Sequence, residues 1–99
     1  MSKYDGYERN LAEGHTKIRL LAESLNLNHQ DVKHLAFNYL RKIEDSRILK
    51  GKSLDAKVAC VMYAAARQTK KEKKPKQILE YVAQTSMAEM NNCYKKVRD

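Results

Sequence analysis

Only 3 glycines and 1 proline punctuate the 99 residues, and tryptophan is absent. So few turn-formers exclude a many-turned β-sandwich and favour helices joined by short loops. No apolar run approaches the roughly 20 residues that cross a bilayer as a helix. The opening "MSKYDGYERN" has no hydrophobic stretch after Lys3 and does not read as a secretory leader. There are 2 cysteines, Cys60 and Cys93, each inside an apolar-periodic segment. The expectation is two buried thiols in a reducing compartment rather than a disulfide.

Signatures of catalysis are also missing. No phosphate-binding glycine loop of either common type occurs. His29 and His34 do not share a helix face, His15 stands alone, and with the two cysteines they match no zinc spacing. Glu44-Asp45 reads as a solvated helix end rather than an acid–base pair. No enzyme, metal, cofactor or small-molecule substrate is expected.

Acidic residues are in short supply: 12 against 20 basic ones, for a net charge of +8. The excess is clustered. "TKKEKKPK", Thr69 to Lys76, carries five lysines (Lys70, Lys71, Lys73, Lys74 and Lys76) against one glutamate. "YKKVR" adds Lys95, Lys96 and Arg98, and "RILKGK" adds Arg47, Lys50 and Lys52. Clustered cations point to a polyanionic partner.

Apolar residues make up 42% of the chain, enough for one modest core. Their spacing predicts five helices. Leu11, Ile18, Leu21, Ala22 and Leu25 mark the first, from about Tyr7 to Leu25, with residues 1–6 as a tail. Asn28 is placed to cap the second, with Asp31 in its first turn. There Val32, Leu35, Ala36, Tyr39, Leu40 and Ile43 form one stripe to about Asp45. The third, about 54–68, is capped by Ser53 or Asp55. From Ala56 to Ala66 its only charge is Lys57, so it should be apolar on every side and wrapped by the others. A fourth starts near Pro75, with Ile78, Leu79, Val82 and Ala83 on its face. A fifth follows Ser86 and Glu89, which have capping-box spacing. Pro75–Val97 also has the outline of a helix-turn-helix, but Met87, Ala88, Glu89 and Met90 are poor base readers.

The stretch "ILKGKSLDAKVACVMYAAARQ", Ile48 to Gln68, resembles the cyclin-like repeat of the general transcription factor IIB family. The shared order is a loop with Gly and a basic residue, then Ser and Asp, then an Ala-rich apolar helix closing on Arg-Gln. "IRLLAESLNLNHQDVKHLAFNYLRKI" looks like the family's first two helices, and "KQILEYVAQTSMAEMNNCYKKV" like its fourth and fifth. The resemblance covers about Tyr7 to Val97 and favours the first of the two repeats of the full factor. It implies an all-α, five-helix cyclin-like domain over residues 7–97, with helix 54–68 at the centre. It also implies a fragment or excised domain of a longer factor.

The family's role is general RNA polymerase II transcription initiation in the nucleus. The implied partners are the TATA-binding protein, promoter double-stranded DNA and RNA polymerase II, with no membrane. In the family the loop before the third helix touches DNA, which here is Lys50-Gly51-Lys52. Arg67 matches the family's arginine, with phosphate contact and helix C-capping as its two readings. Two departures stand out. Ser86-Met87-Ala88 replaces a serine followed by two lysines, and the loop from Lys70 to Lys76 is more basic than usual. Positive charge moved from one site to a nearby one accounts for both. The lysines Lys70, Lys71, Lys73, Lys74, Lys76, Lys95 and Lys96 are the expected partner-binding or phosphate-contacting groups. The alternatives are the related polymerase III initiation factor and a cyclin-like protein-binding adaptor. The adaptor's kinase-facing signature would be a lysine in the third helix and a glutamate in the fifth; Lys57 and Glu89 lie there, but the residues around them do not resemble that family.

Overall fold

The computed structural model describes residues 3–47, 49, 51–71, 73–82 and 85–98. Among these residues there are five helices and no strand: α1 (Lys3–Ser24), α2 (Gln30–Ser46), α3 (Leu54–Gln68), α4 (Pro75–Leu79) and α5 (Met87–Arg98). α3 packs against all four others. That is the arrangement its composition predicts, since every residue from Ala56 to Ala66 is buried. The five alanines of this helix bring neighbouring backbones close, while Val58, Val61 and Met62 fill the space between them.

The outer helices bury the faces their spacing marks. α1 contributes Ile18, Leu21, Ala22 and Leu25, and α2 contributes Val32, Ala36, Leu40 and Ile43. α1 begins at Lys3, ahead of its first apolar marker. Gly14 is the point of close approach between α1 and α2. A Cβ built there would collide with the Leu40 side chain.

The caps differ in detail from expectation. Asn28 does not cap α2. The cap position is His29, with no side-chain bond, and Asn28 Oδ1 instead accepts from Lys33 Nζ at 2.6 Å. The extra residue lets Leu27 bury before the helix starts, its N–H bonded to the Ala22 carbonyl at 2.7 Å. Ser53 caps α3, its hydroxyl accepting from the Ala56 N–H at 3.1 Å. At α5, Ser86 accepts from the Glu89 N–H at 3.2 Å, but the Glu89 carboxylate is drawn to Lys52 at 3.4 Å. α4 is only 5 residues long, too short to serve as the first helix of a helix-turn-helix.

The cysteines also differ. Cys60 of α3 and Cys93 of α5 form a disulfide rather than two thiols, with Cα atoms 6.0 Å apart. The two helices cross at this point, which places the cysteines within bridging range. Their separation of 33 residues gives no hint of this in the sequence.

Among the described residues, one ion pair is largely buried between helices, so Glu44 is not a solvated helix end. The Lys57 ammonium meets Glu44 Oε1 at 2.9 Å, and both side chains are only 11% exposed. The pair joins α2 to α3. Glu89, the other residue of the adaptor signature, pairs with Lys52 instead of Lys57.

Candidate nucleic-acid interface

α3 has 15 residues and is about 22 Å long. The expected cationic residues divide between its two ends. At its start, Leu49 is buried and its carbonyl accepts from the Lys52 N–H at 3.1 Å. Gly51 stands third in this turn with φ +92°, a conformation that glycine supplies without steric cost. It is exposed, with nothing near the position of a Cβ, so another molecule can approach its backbone. Lys50 lies outside the described residues.

Lys52 and Lys96 meet in one cleft between α3 and α5. Thr85, Asn92 and the two bridged cysteines also line it, and its volume is about 130 Å³. Lys52 faces Glu89 at 3.4 Å, with both side chains well exposed. Surface pairs of this kind contribute at most about 1 kcal/mol. A phosphate can therefore draw Lys52 away from Glu89 at small cost. Lys95 is exposed on the same helix but does not line the cleft.

At the other end of α3, Arg67 packs on two aromatic rings. Its guanidinium carbon lies 5.7 Å from the centroid of Tyr63 and 5.2 Å from that of Tyr94. It also donates to Tyr63 Oη at 3.4 Å. The last turn is closed by Thr69, whose hydroxyl donates to the Ala65 carbonyl at 2.8 Å. Arg67 is thus an exposed cation stacked on two rings. The chain then turns at Lys70, with φ +61°.

The lysine-rich loop is tied down at one point. Lys71 Nζ meets Asp31 Oδ2 at 2.9 Å, near the start of α2. This ammonium hydrogen bond holds the Asp31 carboxyl below its usual value, against an opposing effect of burial and with help from the Val32 N–H. Lys70, Lys74 and Lys76 are exposed and Lys73 is half-buried. None of these four makes an ion pair with another described residue. The expected site residues therefore form two groups: Gly51, Lys52 and Lys96 at the start of α3, and Arg67 with the loop lysines at its end. Thr85 was not singled out for the first group by sequence, nor Tyr63 and Tyr94 as the seat of Arg67. Only a contact between distant segments identifies them.

The chain is thus an all-α, five-helix domain with a buried central helix and basic ends. The transcription factor TFIIB repeat family matches it over residues 7–99, and the chain belongs to that family. Among curated proteins and among solved structures, nothing matches the chain. Family membership makes it a transcription initiation factor domain with a cyclin-like fold, whose partners belong to the transcription machinery.

Proposed function

We propose that residues 7–97 form one factor IIB-type repeat that binds the complex of TATA-binding protein and promoter DNA in the nucleus and helps bridge it to RNA polymerase II. The observation that carries this reading is that Lys52, next to the open Gly51, and Lys96 line one cleft, in a chain of the TFIIB repeat family. Gly51 permits close approach of the backbone, and the two ammonium groups suit phosphates that flank a groove. The Lys70–Lys76 loop, at the far end of α3, supplies further phosphate contacts or meets an acidic protein face.

The test is a titration of labelled TATA duplex, saturated with TATA-binding protein, by the domain and by its Lys52→Gln/Lys96→Gln variant. Loss of two phosphate contacts should lower the slope of log affinity against log salt by about 1.8. An unchanged slope would remove this cleft from the interface.

A further inference from the structure

A second basic surface lies between α1 and α2. The cleft there has a volume of about 280 Å³ and is lined by His15 and Arg19 from α1 and by Lys33, His34 and Phe37 from α2. It shares no lining residue with the Lys52 cleft. No acidic side chain lines it among the described residues. His15 stacks on Phe37 with ring centroids 4.4 Å apart. The guanidinium of Arg41, one turn further along α2, lies 5.3 Å from the centroid of the same ring. Arg19 and Lys33 make no ion pair with a described residue. Lys33 is oriented by its bond to Asn28.

This surface comes from segments distant in sequence. The Lys71–Asp31 pair brings the lysine-rich loop to the first turn of α2, beside the end of the cleft where Gln30 sits. Lys33 and Arg41 are about 12 Å apart along the α2 axis. Lys33, Phe37 and Arg41 follow one another at four-residue spacing, so the cations run along one face of α2, with Arg19 beside it on α1.

We propose that Arg19, Lys33 and Arg41, with His15 and His34 between them, form a second contact for the phosphate backbone of duplex DNA. The assignment of DNA as the polyanion rests on the promoter reading above. The surface chemistry favours a phosphate backbone over an acidic, partly apolar protein segment. Ile18 is fully buried, and Phe37 is covered by His15 and Arg41. No open apolar seat remains for the hydrophobic residues of such a segment. What the cleft offers is charge, ring N–H groups and a flat cation-flanked wall.

The test is fluorescence anisotropy with a labelled duplex lacking a TATA element, without TATA-binding protein, from about 50 to about 200 mM salt. Arg19→Gln/Lys33→Gln should bind the duplex more weakly and lower the salt slope by about 1.8. Over that fourfold range, the variant's affinity should fall roughly 12-fold less than that of the wild type. Arg41→Gln should lower the slope by a further 0.9 or so. These side chains are on the surface, so circular dichroism should be unchanged. A slope equal to wild type would overturn the proposal. So would failure of the wild type to bind the duplex at the lowest salt, or equal loss of binding to polyglutamate with duplex binding intact. Loss of slope here without a ternary complex with TATA-binding protein would leave this contact standing and remove the promoter reading. The opposite pair of results would do the reverse.

Discussion

Replacing Lys57 by methionine would strand the Glu44 carboxylate inside the α2–α3 interface. The wild-type pair is 2.9 Å long and 11% exposed on each side, so water screens it poorly. Methionine keeps most of the lysine stem, which leaves packing nearly intact and isolates the charge effect. Removing one member of a buried pair costs about 3–5 kcal/mol. In a domain of this size each kcal/mol moves the melting temperature by about 4–8 °C, so Lys57→Met should melt at least about 12 °C below wild type. Lys57→Met/Glu44→Met removes both charges and should return to within about 1 kcal/mol of wild type or exceed it. Urea unfolding of the four proteins closes the cycle. A single variant within about 1 kcal/mol of wild type would refute the reasoning, because Glu44 would then be reached by water. A double variant as unstable as the sum of the singles would refute it as well.

Gly14→Ala should destabilise by about 1–3 kcal/mol through its collision with Leu40, less the gain from helix propensity, and Leu40→Val should relieve part of the loss. Thermal melts of the two singles and the double measure this. Reducing Cys60–Cys93 opens a loop of 33 residues' separation and should lower stability by up to about 4 kcal/mol without unfolding the domain, read as urea midpoints with and without dithiothreitol. The Asp31 carboxyl is held low by Lys71, so its contribution is present above its unfolded value of 3.8. That contribution is lost as pH falls through the lower folded value. Melting temperatures of wild type and Asp31→Asn should therefore differ at pH 6 and converge in strong acid.

The fold was legible because its two strongest signals are local. The stripe of α2 and the neutral run of α3 require only hydrophobic spacing, and both helices form where that spacing puts them. The caps were less legible. Asn28 is a good cap by type, but burial of Leu27 shifts the start of the helix past it. The capping box at Ser86 is half made because Glu89 has a better partner in Lys52, which lies far away in sequence. The disulfide was misread for the same reason: burial of each cysteine could be inferred from its segment, but their meeting could not.

The site was legible by residue type and not by geometry. Lysine clusters raised the expectation of a polyanionic partner, yet spacing alone could not divide them between the two ends of α3. Nor could it pair Lys52 with Lys96, or Lys71 with Asp31. The α1–α2 surface escaped notice altogether, because His15, Arg19, Lys33, His34 and Arg41 are scattered singly among polar residues. Only the packing of the two helices gathers them around Phe37.

The most direct test of the account is a gel shift with TATA duplex, TATA-binding protein and this domain. The account predicts a slower band that needs both the DNA and the TATA-binding protein, and that weakens when Lys52 and Lys96 are changed to glutamine. No slower band, from the domain alone or fused to a second repeat, would contradict the promoter-assembly reading.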